Sequence, residues 1–216
     1  MFTGIVEDIG TLKRVTPSGL GARLAIETRL PLGEVSLGDS IAVSGACLTV
    51  VAIAPPVFEA EISRETAARS TLGSIQPGTR VHLERALPIG GRLDGHLVLG
   101  HVDGVGRIEG RTVHDDSTRL EIGAPLEVVR YLVEKGSVAV HGVSLTVNEL
   151  HGATFGVTIV PFTARKTFLP ELPVGARVNL EADILGKYVE RLLPGRGAQR
   201  GGLSMEVLAR SGFLDG

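Results

Sequence analysis

Two hexapeptides decide how this chain folds: Gly45-Ala46-Cys47-Leu48-Thr49-Val50 and Gly142-Val143-Ser144-Leu145-Thr146-Val147, which stand 97 residues apart. Working outward, Thr66-Ala67 recurs as Thr163-Ala164 at the same offset of 97. So does Gly78-Thr79-Arg80-Val81-His82-Leu83-Glu84, as Gly175-Ala176-Arg177-Val178-Asn179-Leu180-Glu181. Toward the N-terminus, Gly4-Ile5-Val6-Glu7-Asp8-Ile9-Gly10 matches Gly100-His101-Val102-Asp103-Gly104-Val105-Gly106, now offset by 96. Two unrelated β-rich segments would not share four blocks in one order. A period this long exceeds any solenoid repeat, so the chain reads as a duplicated small domain.

Each half is a run of short apolar strands cut by turns. In the first, strands are expected over Gly4–Val15, Arg23–Thr28, Asp39–Val43, Leu48–Ala54, Val57–Ile62 and Arg80–Glu84; their partners begin at His101, Arg119, Ser137, Leu145, Phe155 and Arg177. Six such strands close into a small antiparallel barrel, which leaves no exposed edge. The fold class is therefore all-β: two tandem six-stranded barrels plus a C-terminal helix. Composition agrees, with 29 glycines in 216 residues, six Phe, two Tyr and no Trp. Helical turns are expected at Arg64–Leu72 and Thr163–Leu169. A longer helix is expected from Pro125, as the first helical residue, to Lys135, with Gly136 as its stop.

The tail belongs to neither repeat. From Ile184, the residues Leu185, Tyr188, Val189, Leu192 and Leu193 recur at helical spacing, with Lys187, Glu190 and Arg191 on the other face. Pro194-Gly195 ends this helix; a basic glycine-rich link at Arg196–Gly202 and a second amphipathic stretch at Leu203–Phe213 follow. Such a helix either packs back on its own barrel or joins copies of the chain, and closed barrels favour the second. The expected divisions are 1–95, 96–183 and 184–216.

Several function classes fall away. A net charge of −2 gives no basic face for nucleic acid. One cysteine cannot form an internal disulfide, and no basic-then-apolar leader is visible, so a cytoplasmic protein is expected. The charge-free run from Ser40 to Phe58 is long enough to span a bilayer. Ser44, Gly45, Thr49 and Pro55-Pro56 interrupt it, and two buried strands account for it better. There is no His-Glu-x-x-His zinc motif and no phosphate-binding loop, and His96 and His101 are wrongly spaced for one helical face. His82, His114 and His151 read as structural or surface residues. What remains is polar side chains that coincide when the repeats are aligned: Cys47 and Thr49 with Ser144 and Thr146, and Thr66 with Thr163. A hydroxyl there can simply bond nearby backbone. Its presence in both copies points to two equivalent pockets for a flat, polar, uncharged ligand.

Met1-Phe2-Thr3-Gly4-Ile5-Val6, Cys47-Leu48-Thr49-Val50, Gly95-His96-Leu97-Val98-Leu99-Gly100-His101-Val102 and Gly142-Val143-Ser144-Leu145-Thr146-Val147 resemble the riboflavin synthase family across essentially the whole chain. Lys187-Tyr188-Val189-Glu190-Arg191 and Leu208-Ala209-Arg210-Ser211-Gly212-Phe213 are similar to it too. The resemblance implies a dismutation without cofactor or metal. Two molecules of 6,7-dimethyl-8-ribityllumazine exchange a four-carbon unit, giving riboflavin and 5-amino-6-ribitylaminouracil. It also implies a homotrimer, with the reacting pair stacked between the N-terminal barrel of one subunit and the C-terminal barrel of its neighbour, and it raises lumazine synthase as a partner.

By motif position, the resemblance implies a first pocket lined by Gly4, Ile5, Val6, Cys47, Leu48, Thr49, Glu61, Ile62, Ser63, Arg64, Glu65 and Thr66. The second would use Gly100, His101, Val102, Lys135, Ser144, Leu145, Thr146, Val160, Pro161, Phe162, Thr163, Ala164 and Arg165. It places the chemistry on Ser40, Cys47, His101, Ser144, Thr146 and Asp183. His101 is suited to take a proton from the acidic C7 methyl group. Ser40 or Cys47 would help deliver the nucleophile, and Thr146 and Asp183 would orient water or protons. The chain departs from commoner family patterns at His141 and Phe162. A non-catalytic lumazine- or flavin-binding protein of the same fold is the alternative; the presence of Ser144, Thr146, Lys135 and Asp183 favours the enzyme.

Overall fold

The computed structural model describes residues 1–19, 21–114 and 116–193. The first repeat supplies β1 (Asp8–Ser18), β2 (Gly21–Glu27), β3 (Ser40–Val43), β4 (Ala46–Ala54), β5 (Val57–Ser63), α1 (Arg64–Arg69) and β6 (Arg80–Arg85). The second supplies β7 (Gly104–His114), β8 (Ser117–Gly123), α2 (Leu126–Val129), β9 (Ser137–Val140), β10 (Val143–His151), β11 (Thr154–Ile159), α3 (Pro161–Lys166) and β12 (Arg177–Ala182), and α4 (Ile184–Leu192) follows. Each set closes into an antiparallel barrel, in the orders β1-β2-β5-β4-β3-β6 and β10-β11-β8-β7-β12-β9, which are the same circuit. The repeats agree down to their irregularities. The bulge between Leu12 and Arg14 returns between Ile108 and Gly110, and that between Val50 and Ala52 returns between Val147 and Glu149. Bulges add the local twist that a short sheet needs to close.

Alternation explains the inside and the outside. In β5, Phe58, Ala60 and Ile62 are buried, while Glu59 and Glu61 face out and meet Arg14 and Arg23 across the sheet. Leu12, Ile26, Ile41, Val50 and Leu83 join the first interior; Ile108, Leu120, Val138, Phe155 and Leu180 are among those filling the second. Burying each Leu, Ile or Phe contributes roughly 1.5–3 kcal/mol. The charge-free Ser40–Phe58 run indeed forms β3 and β4, and no helix among the described residues is long and apolar enough to cross a membrane.

Three local expectations change. The first strand of each repeat begins at Asp8 and Gly104, later than expected, because Gly4 (φ +77°) and Gly100 (φ +78°) turn the chain out of the ladder toward the other barrel. The helix expected from Pro125 to Lys135 is one turn, Leu126–Val129, with Pro125 at its N-cap. The chain must leave the helix there because Lys135 donates its N–H to Val147 O at 2.7 Å and Val147 N–H donates to Gly136 O at 2.9 Å. Gly38 and Asp39 make the same exchange with Val50. The third change is that each helical stretch after the fifth strand divides, into α1 and a 3-10 turn at Thr71–Ser74, and into α3 and a 3-10 turn at Leu169–Glu171. Ser63 caps α1 by accepting from Thr66 N, and Ser70 accepts from Leu72 N at the break. α4 forms as expected, with Leu185, Tyr188, Val189 and Leu192 all exposed. The link and second stretch expected from residue 194 onward lie outside the described residues.

The barrels meet through reciprocal contacts. A Cβ on Gly45 would lie 2.8 Å from Gly142 N, and one on Gly142 would lie 2.7 Å from Gly45 N, so neither position has room for a side chain. Phe2 bridges to Val98, and both are buried with Ala42 and Ala139 between the barrels.

Candidate functional site

The site is built from two arms that precede the first strand of each repeat. Glu84, on β6, is buried, and its carboxylate accepts from Thr3 N at 2.6 Å, Thr3 Oγ1 at 2.7 Å and Gly4 N at 2.9 Å. Its counterpart Glu181, on β12, accepts from Leu99 N at 2.7 Å and Gly100 N at 2.9 Å. Burial holds the Glu84 carboxyl above its ordinary range, and the three donors offset only part of that rise. With its N–H groups held by its own barrel, each arm has its carbonyl left to bond outward.

It bonds to the other barrel. Ser144 N donates to Gly4 O at 2.8 Å, and Cys47 N donates to Gly100 O at 2.8 Å. Val6 packs against the second core and Val102 against the first. The arms are thus exchanged, which corrects the grouping expected from motif position. Gly4, expected beside Cys47, bonds Ser144, and Val6 packs on the second core; Gly100, expected beside Ser144, bonds Cys47, and Val102 packs on the first. Only glycine serves at the crossing: a Cβ on Gly4 would sit 2.6 Å from Ser144 Cβ, and one on Gly100 2.5 Å from Cys47 Cβ.

Two matched sets follow. On the first barrel, Cys47, Leu48 and Thr49 of β4 run beside β5, whose Glu61 is paired with Thr49, and lead through Ile62 and Ser63 to Arg64, Glu65 and Thr66 of α1. Ser40 opens β3 opposite Thr49. On the second, Ser144, Leu145 and Thr146 lie on β10, and Val160 leads into Pro161, Phe162, Thr163, Ala164 and Arg165 of α3. Lys135 precedes β9 with φ +65°, and Asp183 follows β12. Thr49, Thr146, Ile5, His101, Lys135 and Phe162 are exposed; Cys47, Ser144 and Asp183 are half-buried. A cavity of about 590 Å³ shares only Ile5 and Ser40 with these sets, and its wall mixes apolar Val35, Ile41 and Leu87 with charged Glu7, Glu34, Arg85 and Arg92. Arg85 is tied there to both Glu7 and Glu34, so the cavity reads as a solvated cleft beside the first arm.

Four residues escape sequence reasoning. Glu84 and Glu181 stand in a repeated block, yet nothing in that block tells a clamp from a surface carboxylate. His96 is buried, with Nδ1 2.7 Å from Ser144 Oγ. Asn179 holds the two barrels together: its Nδ2 donates to Ser44 O at 2.9 Å and its Oδ1 accepts from Thr71 N at 2.7 Å. His141, one of the two unusual positions, is buried and accepts from Asn179 N, so its role is architectural. Among the described residues no group of His, Cys, Asp and Glu could hold a metal ion.

The family described as lumazine binding domain matches residues 3–86 and 99–183. A riboflavin synthase of Actinobacillus pleuropneumoniae is 40% identical over 99% of this chain and 100% of its own. One from Mycobacterium tuberculosis (strain ATCC 25618 / H37Rv) is 46% identical over 91% of this chain and 100% of its own. Among solved structures, LumP complexed with riboflavin superposes with a TM-score of 0.76 at 26% identity, covering 84% of this chain and 99% of that one. LumP complexed with 6,7-dimethyl-8-(1'-D-ribityl) lumazine, at 24% identity and a TM-score of 0.75 over the same shares, shows the same fold.

Proposed function

The chain belongs to the riboflavin synthase family, built on paired lumazine binding domains, and from that premise we propose that its exchanged arms complete the two lumazine pockets of one reaction. The reaction is the dismutation of two 6,7-dimethyl-8-ribityllumazines into riboflavin and 5-amino-6-ribitylaminouracil by transfer of a four-carbon unit. The observation that carries the pocket assignment is the reciprocal pair of backbone bonds, Cys47 N to Gly100 O and Ser144 N to Gly4 O. They make two near-identical pockets from one fold, which suits a reaction between two identical molecules.

In this reading the first-barrel pocket joins Gly100, His101 and Val102 to Cys47–Thr49 and to residues 61–66. The second joins Gly4, Ile5 and Val6 to Ser144–Thr146, Lys135 and residues 160–165. Catalysis starts with orientation: fixing two lumazines face to face makes a bimolecular step effectively unimolecular. His101 takes the proton from the C7 methyl of the lumazine held in the facing second-barrel pocket, leaving a carbanion that attacks the lumazine in the first-barrel pocket. Ser40 and Cys47 guide the nucleophile that adds at C7 of the acceptor, and Thr146 and Asp183 orient protons on the other side. The facing pair of pockets is assembled between subunits of a homotrimer, supported by the exposed apolar residues of α4 and by exposed Val160 and Phe162 beside the second pocket. A cytoplasmic location and lumazine synthase as the feeding partner belong to the same proposal.

The experiment is His101→Gln, which keeps bulk and hydrogen bonding but removes the imidazole base. Riboflavin formation from the lumazine should fall on the order of a hundredfold or more, with much less change in lumazine affinity. Equal losses in rate and binding would make His101 a binding residue. A wild-type protein that binds the lumazine without releasing riboflavin would favour the non-catalytic binding protein.

A further inference from the structure

His96 lies between the two repeats and is 6% exposed. Its backbone N–H donates to Thr3 O at 3.1 Å, which fixes the residue against the first arm. Its Nδ1 stands 2.7 Å from Ser144 Oγ, while its Nε2 is buried without a hydrogen-bond partner among the described residues. That asymmetry selects a tautomer. A buried N–H with no acceptor is costlier and rarer than a buried lone pair with no donor. The ring proton therefore sits on Nδ1 and is donated to Ser144 Oγ. Burial keeps the ring neutral, although the Asp183 carboxylate pulls in the other direction. With one lone pair of Oγ occupied by Nδ1–H, the Ser144 hydroxyl is free to donate its own proton away from the histidine, toward the pocket.

We propose that His96 is a positioning residue that sets the Ser144 hydroxyl as a hydrogen-bond donor to the lumazine in the second-barrel pocket. The proposal rests on the assignment of Ser144 to that pocket. A pteridine-dione collects negative charge on its carbonyl oxygens and ring nitrogens, whether it loses its methyl proton or accepts a nucleophile at C7. A donor pre-set at that edge stabilises either state more than the neutral ground state. No comparable group serves the other pocket: among the described residues no histidine ring nitrogen bonds Cys47, the counterpart of Ser144, which is a free thiol. Two molecules that must play unequal parts thus meet unequal pockets.

The test compares His96→Leu, His96→Asn, Ser144→Ala and the double variant H96L/S144A, measuring kcat and KM for riboflavin formation from the lumazine. Asn carries an N–H donor near the position of Nδ1. H96L and S144A should each lower kcat by about tenfold to a hundredfold with KM changed by less than about threefold, as expected for a donor used in the transition state. The double variant should be no worse than S144A, and H96N should stay within about threefold of wild type. H96L as active as wild type beside an impaired S144A overturns the positioning role and leaves the pocket assignment intact. S144A as active as wild type overturns the pocket assignment itself, and the proposal with it. If H96L does not fold, as melting and size exclusion would show, H96N is compared with His96→Gln, whose amide falls nearer Nε2. An active H96N beside an impaired H96Q supports the proposal; equal activities overturn it.

Discussion

His82 is a neutral histidine in the place that asparagine takes in the other repeat. Its Nδ1–H donates to His141 O at 2.9 Å and its Nε2 accepts from Phe168 N at 3.0 Å, as Asn179 donates to Ser44 O and accepts from Thr71 N. A protonated ring would aim an N–H at the Phe168 N–H. Burial pushes His82 down to about 4 and His141 down to about 3, the charge on Arg80 adding to the first. In the unfolded chain both titrate near 6.5, so below that pH the unfolded state binds more protons than the folded one. Their contribution to stability is complete above about pH 6.5 and falls with pH by about 1.4 kcal/mol per unit for each ring, levelling only at the folded values. His82→Asn keeps a donor and an acceptor but does not titrate. Between pH 7 and pH 5, H82N should lose about 2 kcal/mol less unfolding free energy than wild type in chemical denaturation, and equal losses would show that His82 is not the titrating ring. At this scale the sequence was only half readable. The repeat alignment exposed Cys47, Ser144 and the paired threonines because both copies keep a hydroxyl or thiol there. It misplaced the arms because alignment pairs each residue with its own repeat, while Gly4 and Gly100 send the chain across to the other.

At the level of elements, most strands and the helix α4 were legible, while the segment after Pro125 was not. Alternation of more and less buried residues runs through β5, and through β10 as far as the bulge after Val147, and such a period is readable from sequence. Pro125 to Lys135 shows helical spacing too, yet Val147 takes up the backbone groups of Lys135 and Gly136, and one turn is all that remains. Propensity gave way to ladder bonds, as it does for short segments. α4 is the opposite case: its spacing is strong, and no residue in it is buried. Leu185 and Leu192 are 58% and 78% exposed, which fits a helix awaiting copies of the chain. Replacing both with Glu puts charges into the seam of the proposed trimer, where an unpaired carboxylate is heavily penalised. The variant should sediment as a monomer while its far-ultraviolet circular dichroism keeps the barrel signature. An unchanged trimer would remove α4 as the organiser.

For the whole molecule, the exchange of arms means that, under the proposed function, neither barrel carries a complete pocket of its own. A fragment of Met1 to about Leu93 retains a full hydrophobic interior and should fold, since a barrel of roughly this length buries its own core. It lacks Gly100, His101 and Val102, so its Cys47 pocket is finished only if the arm of a second copy supplies Gly4, Ile5 and Val6. The fragment should therefore bind riboflavin or the lumazine as a dimer, with affinity that weakens on dilution, and should form no riboflavin. Fluorescence titration at several protein concentrations checks the first statement and a riboflavin assay the second. Binding by a monomer would argue against the exchange, and turnover would place the chemistry in the first barrel alone. Covalent linkage changes this arithmetic. In the full chain each arm reaches the opposite barrel at an effective concentration on the order of millimolar, set by the short connection around residues 86–99 and not by how much protein is present. Pairing of the halves is then insensitive to dilution, and it is always one of each kind. A dimer of identical halves would carry the same arm twice; the tethered pair can keep Ile5 on one arm and His101 on the other, so that two pockets of common descent are free to diverge without ever losing their partner.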